Sequence, residues 1–216
     1  MKKRILSLAL SAAMALTMLP TGAFAASDKG KPPVYNKATG CYEISTPDQL
    51  LYLSGSWRDG APRDGHYVLT ADIDMTGVKG FKPIASKKDQ GFTGTFDGQF
   101  HAIKGLRVEY EKKYAGLFGY VGNQDDQAYI KDVALLDCYV TGQQNVGALA
   151  GVNYGTITGC VVTGEVKCLD LSNSHTAGGI CGKLKEGEGP IVGHVEDCYI
   201  NADVSAPYDA GGVAGI

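Results

Sequence analysis

Carboxylates, thiols and histidines are the residues in this sequence whose types and spacing could do chemistry. The acidic candidates are Asp72/Asp74, Asp125/Asp126 and Asp132/Asp137. Carboxylates clustered on one wall can hold Ca²⁺ or act as an acid/base pair on a polysaccharide, commonly with a Lys or Arg to neutralise the substrate. Asp72 and Asp74 would share the polar face of one strand, where two solvated carboxylates are the ordinary state and a bound cation the alternative. Asp125-Asp126 reads as a solvated turn. Beyond the first 25 residues the only arginines are Arg58, Arg63 and Arg107, all ahead of the regular part of the chain. The six cysteines, Cys41, Cys138, Cys160, Cys168, Cys181 and Cys198, include no Cys-x-x-Cys, and His194 with Cys198 is the one near Cys/His pair. One such pair falls short of a four-ligand zinc site. His101 follows Phe100 in a strand and reads as a packed or surface histidine. Gly-x-Ser-x-Gly, His-Glu-x-x-His and the phosphate-binding glycine loops are absent from the sequence. The expectation is a chain with no catalytic residues, no metal site and no cofactor, whose ligand-binding residues the sequence does not name.

Composition sets the frame for those residues. The chain has 216 residues, 44% hydrophobic and 20% charged, with 30 glycines, which fits a soluble globular or repeat protein and excludes a disordered or collagenous one. Residues 1–25 read as a secretory signal: Met1-Lys2-Lys3-Arg4, an apolar run from Ile5 to Leu19, and Ala23-Phe24-Ala25 as the cleavage site. An anchor is the rival reading, but about 15 apolar residues are short for a spanning helix. Three of the 20 basic residues and none of the 23 acidic ones lie in this leader, leaving 17 against 23 and a net charge of −6. Nucleic acid is thereby excluded as a partner, for want of a basic footprint, and no membrane insertion is expected after cleavage.

The second half repeats itself. Ala115-Gly116-Leu117-Phe118-Gly119, Gly147-Ala148-Leu149-Ala150-Gly151, Gly178-Gly179-Ile180-Cys181-Gly182 and Gly211-Gly212-Val213-Ala214-Gly215 close on glycines 32, 31 and 33 residues apart. Each unit also holds a short alternating stretch (Ile130-Lys131-Asp132-Val133, Ile157-Thr158-Gly159-Cys160, Val195-Glu196-Asp197-Cys198) followed by a β-rich run, with no helical period of ten or more residues. Units of this kind cannot bury their apolar faces alone and must stack in parallel, strand on strand, at ~4.8 Å. The expected fold is all-β: a right-handed parallel β-helix, or solenoid, with a short N-terminal capping helix. Leu117, Leu149, Ile180 and Val213 are expected in one inward column, with glycines serving positive-φ corners or close approaches of neighbouring coils. Asp132 and Asp197 occupy matching columns with Gly159 between them. Cys160 and Cys198 also match, either as a reduced stack or as a bridge if their Cβ atoms come within ~4.5 Å; most of the cysteines read as small buried hydrophobes. Polar excess residues (Asn123 to Gln127, Asp170 to His175, Lys185 to Pro190) read as loops projecting from the wall.

The first half reads as a cap, residues 26–66, ahead of repeats over 67–216. Thr46-Pro47-Asp48-Gln49 opens a short helix through Leu53, with Thr46 as N-cap and Gln49 closing a capping box. Leu50, Leu53 and Trp57 share its apolar face, and Tyr35 and Tyr42 sit in a strand before it. Leu69 to Met75 alternates as one half-buried strand, and Phe92 to Phe96 as another that meets a hairpin or corner at Asp97-Gly98. Tyrosines at 110, 114, 120, 129, 139, 154, 199 and 208 are spread over the coils, where they either suit strands or stand exposed to stack on sugar rings or anchor a protein.

Tyr67 to Met75, then Phe81-Lys82-Pro83-Ile84, Phe92 to Ile103 and Gly116-Leu117-Phe118-Gly119, followed by the glycine-rich units, resemble GLUG-motif repeat proteins over residues ~42–216. The resemblance implies a secreted or surface-attached bacterial protein, adhesin-like, non-catalytic, with a host or microbial glycan or a surface protein as partner or a role as a rigid display stalk. The alternative is a non-catalytic N-terminal part of a longer secreted protease or glycan-degrading enzyme. The chain stops one strand into a new unit, at Gly215-Ile216, so downstream domains are expected to be missing from it.

Overall fold

The computed structural model describes residues 30–55, 61–170, 175–185 and 192–215. The leader, Trp57, Arg58 and most of the two later polar insertions lie outside these residues. The chain opens with β1 (Val34–Asn36) and β2 (Cys41–Ile44), then α1 (Pro47–Leu53), then β3 (His66–Leu69) and β4 (Ile73–Asp74). The next repeat carries β5 (Thr95–Asp97), β6 (Ala102–Lys104), β7 (Arg107–Ala115) and β8 (Phe118–Val121). It is followed by β9 (Tyr129–Lys131), β10 (Ala134–Gly147) and β11 (Ala150–Asn153). Then come β12 (Thr156–Thr158), β13 (Val161–Cys168), β14 (Thr176–Gly178) and β15 (Cys181–Leu184), and last β16 (His194–Glu196), β17 (Tyr199–Ser205) and β18 (Asp209–Gly211).

These strands form three sheets, parallel throughout except for the antiparallel β1/β2 pair. The first runs β1-β2-β3-β5-β9-β12-β16, the third β15-β11-β8, and the second gathers β4, β6, β7, β10, β13, β14, β17 and β18. Each repeat therefore lays its strands beside their counterparts one repeat earlier. In the first sheet Tyr42, Tyr67, Phe96, Ile130, Ile157 and Val195 pair in register. In the second, Ile73, Ile103, Leu135, Val162 and Ile200 do so, and so do Val108, Val140, Val166 and Val204. All three sheets contribute to one hydrophobic core, so each apolar column is shielded by the walls facing it.

At the first end, Thr46 accepts from the Gln49 amide at 3.3 Å while the Gln49 Oε1 accepts from the Thr46 amide at 3.1 Å. This reciprocal capping starts a helix of only seven residues, whose Leu50, Leu51 and Leu53 are buried. Tyr35 and Tyr42 belong to two strands of a hairpin rather than to one, with ring centroids 4.9 Å apart.

The expected strand from Leu69 to Met75 is split: β3 belongs to the first sheet and β4 to the second, with the chain turning between them at Thr70 to Asp72. Likewise only Thr95 and Phe96 of the expected Phe92 to Phe96 strand lie in β5, and Phe92 makes an isolated bridge to Val121. At the corner after β5 the left-handed residues are Gln99 and Phe100 (φ 46° and 65°), not Gly98. Leu117, Leu149 and Ile180 are fully buried as expected, but Val213 in the last described repeat is 44% exposed, since among the described residues no further repeat covers it.

The closing glycines serve close approach rather than positive φ. A Cβ on Gly151 would lie 2.6 Å from the Tyr114 backbone, and one on Gly182 would lie 2.1 Å from the Asn145 carbonyl carbon. Positive φ falls instead on the matched corner column Asp132 (54°), Gly159 (64°) and Asp197 (50°).

Candidate functional site

The second sheet changes direction along β7 and β10, and a groove opens there. Register between the two strands holds from Tyr139↔Arg107 to Gly142↔Tyr110, then slips so that Gln144 pairs with Lys113. The slip places one more residue on β7 than on β10, which bends the ladder as a bulge does. Gly142 fits this bend because a Cβ there would lie 2.6 Å from the Ala115 Cβ. In the next repeat the chain leaves β13 here, with the Leu169 amide donating to the Gly142 carbonyl at 2.8 Å.

The resulting open groove has a volume of about 580 Å³. Tyr110, Tyr139 and Leu169 supply apolar surface, and Leu169 is 59% exposed. Glu109, Glu111 and Asp170 supply carboxylates, with Thr141 and Gln143 between them.

Several of these groups are held in place. The Arg107 guanidinium carbon lies 4.2 Å from the centroid of the Tyr139 ring, and Arg107 Nη2 donates to Glu109 Oε1 at 2.9 Å. That bond raises the Arg107 pKa and lowers that of Glu109. On the far side, Asp170 Oδ2 is 3.4 Å from Nδ1 of the buried His175.

The carboxylates singled out by spacing do not assemble. Asp72 and Asp74 do not share a strand face, because Asp72 lies at the corner before β4. Its Oδ1 accepts from the Ala102 amide at 2.9 Å and sits 3.1 Å from His101 Nδ1, whereas Asp74 Oδ1 accepts from the Thr76 amide. Asp125 and Asp126 donate backbone N–H groups to Asn123 Oδ1 in a tight turn. They border a second groove of about 300 Å³ with Arg63, Lys88, Asp89 and Tyr154. Asp132 is left-handed at the corner after β9, and Asp137 is left-handed within β10, where the pairing with β13 is irregular. Burial, then the neighbouring Asp97, raises the Asp132 pKa, while Lys131 opposes the rise and pairs with Asp97 at 2.7 Å. Among the described residues no group of three or more His, Cys, Asp or Glu gathers as metal ligands.

All six thiols are free, and four of them, Cys138, Cys160, Cys168 and Cys181, are buried. Cys160 and Cys198 are neighbours across repeats, since the Tyr199 amide donates to the Cys160 carbonyl at 2.8 Å. Their thiols interact: burial and the Cys198 contact raise the Cys160 pKa, and the hydrogen bond from Cys160 lowers that of Cys198.

Of the tyrosines, Tyr110 and Tyr139 line the large groove. Tyr120 and Tyr154 are buried in a small cluster with Val152 and Tyr114, while Tyr129, Tyr199 and Tyr208 stand exposed. Sequence reasoning missed Glu109, Glu111, Gln143 and Leu169, and it named Arg107 only for its scarcity. The polar excess beginning at Asp170 was the available signal, because the groove lies at the root of that loop.

No family model matches the chain. It is 32% identical over 151 residues to halomucin of Haloquadratum walsbyi, a match covering 65% of this chain and 2% of that protein. It is 33% identical over 101 residues to a "Putative Gly-rich membrane protein" of Evansella cellulosilytica, covering 43% of this chain and 11% of that one. The chain thus spans a small fraction of either relative. In structure it is similar to a "putative immunoglobulin A1 protease" from Bacteroides ovatus, with a TM-score of 0.51 and 19% identity over 82% of this chain and 71% of that one. That likeness concerns the fold.

Proposed function

We propose that this chain is an exported, adhesin-like repeat module of the GLUG type, built as a right-handed parallel β-helix and capped at its first end by α1 and the β1/β2 hairpin. It holds a glycan or protein ligand on its outer wall and does not turn it over. The in-register stacking of successive repeats carries this reading, because it makes a rigid wall on which exposed side chains keep fixed spacings. The carboxylates that could have formed a reaction centre are engaged locally, in corners and turns, which supports the non-catalytic part. Similarity to halomucin and to a Gly-rich membrane protein supports a place outside the cell. The likeness in fold to a putative immunoglobulin A1 protease supports a second reading, a non-catalytic part of a longer secreted enzyme.

Binding of the labelled chain to immobilised mucin and polysaccharides tests the proposal. Reversible retention without release of reducing ends or peptides is expected, and steady product release would overturn it. A metalloprotease motif in the coding sequence downstream of Ile216 would favour the second reading.

A further inference from the structure

We infer that the groove at the β7/β10 bend is a binding site for an uncharged oligosaccharide. The inference rests on the reading of the chain as a binding module and names the ligand class for one place on it.

Sugars present two kinds of surface: flat patches of C–H groups and a rim of hydroxyls. The first packs on aromatic and aliphatic side chains, and the second donates to carboxylate, amide and backbone oxygens. The groove offers both, with Tyr110, Tyr139 and Leu169 beside Glu109, Glu111 and Gln143. Its volume, about 580 Å³, falls within the range of small-ligand sites.

Charge selects among glycans. Among the described residues, every charged side chain lining the groove is acidic: Glu109, Glu111 and Asp170. Uronates, sulfates and sialic acids would bring negative charge against them. A basic peptide would pair with the carboxylates without needing the flat Tyr139 and Leu169 surface, and its capture is one outcome of the test.

The site is also pre-arranged. Arg107, itself outside the lining, braces a ring and a carboxylate of the groove at once, and the slip of register fixes the bend. Groups held before binding lose less freedom on binding. Arg107 is in this sense a positioning residue.

Affinity electrophoresis of the full chain through gels containing a neutral β-glucan, a neutral galactomannan or polygalacturonate tests the inference. Retardation by a neutral polymer is expected. Leu169→Ala and Tyr139→Ala should weaken it about tenfold, an ordinary loss for an anchoring side chain. Glu111→Lys should weaken neutral binding and bring on retardation by polygalacturonate. Leu169 and Glu111 are exposed, so their variants should melt like the parent, and circular dichroism checks this. Neutral binding that survives all three substitutions overturns the groove but leaves the binding module standing. Retardation of the parent by polygalacturonate alone, or capture of a Lys-rich peptide that Glu111→Lys abolishes, overturns the ligand class. Failure to bind any neutral polymer while mucin or a protein ligand is still retained overturns the inference alone, and failure to bind glycan, mucin or protein overturns both.

Discussion

Gly182 and Gly212 look alike in the sequence, each inside a glycine-rich repeat ending, yet they answer to different constraints. A Cβ at Gly182 would fall 2.1–2.6 Å from the Asn145 and Val146 backbone, whereas at Gly212 it would meet nothing within 4 Å. Backbone cannot give way as a flexible side chain can, so Gly182→Ala should cost about 1–3 kcal/mol or more. Gly212→Ala should raise stability by about 0.4–1 kcal/mol, because its effect comes only from a stiffer unfolded chain. Urea midpoints of the two variants measure the contrast.

Thiols supply the pH-dependent term at this scale. Burial pushes Cys138 and Cys181 up to about 12 from the ordinary 9.0. Between pH 9 and 12 the unfolded chain releases these protons before the folded one does, so stability falls as pH rises through that window. Each thiol should then cost about a factor of ten in the folding equilibrium constant per pH unit. Below pH 9 both thiols are protonated in either state and add no slope. Alkaline unfolding midpoints for Cys138→Ala and Cys181→Ala should shift less between pH 9 and 11 than those of the parent.

Among the elements, α1 depends on its cap because seven residues cannot hold a helix by propagation alone. Thr46→Ala should cost about 1 kcal/mol, read as a lowered melting temperature. Leu149→Ala, in the fully buried column, should cost about 2–5 kcal/mol. Val213→Ala, 44% exposed in the same column, should cost under about 1 kcal/mol.

The capping box, the column Leu117/Leu149/Ile180 and the matched corner Asp132/Gly159/Asp197 were all legible in the sequence, because each rests on local chemistry or on the repeat spacing. Strand limits were not. Leu69, Ile73 and Met75 are all buried although the chain turns from one sheet to another among them. Walls face the core from every side, so inward and outward positions keep alternating through the corner and do not mark it. The groove was hidden for a related reason. It joins residues from neighbouring repeats across a slipped register, and aligning the repeats on their closing glycines cannot reveal the slip.

For the molecule as a whole, cohesion comes from neighbour to neighbour along the stack, so protection should vary along it. Residues of β17 alternate between exposed and half-buried, whereas the counterparts of Ile200 and Val204 in β13 (Val162, Val166) and β10 (Leu135, Val140) are fully buried. Amides of β17 should therefore exchange faster than those of β10, by about 10-fold or more, since local opening near an edge costs less than opening at the centre. Equal protection in the two strands, measured by hydrogen exchange, would count against a stack stabilised mainly by adjacent repeats.

The fourteen residues of β10 form one strand, left-handed at Asp137 and Asn145, where the previous repeat has β6 and β7 and the following one has β13 and β14. A single ribbon is thus clamped on both sides to strands that are interrupted, much as a splint crosses a break. Tension applied to either flanking strand passes into the same continuous backbone. A pull along the chain would for that reason be shared among many amide bonds before any one joint parts.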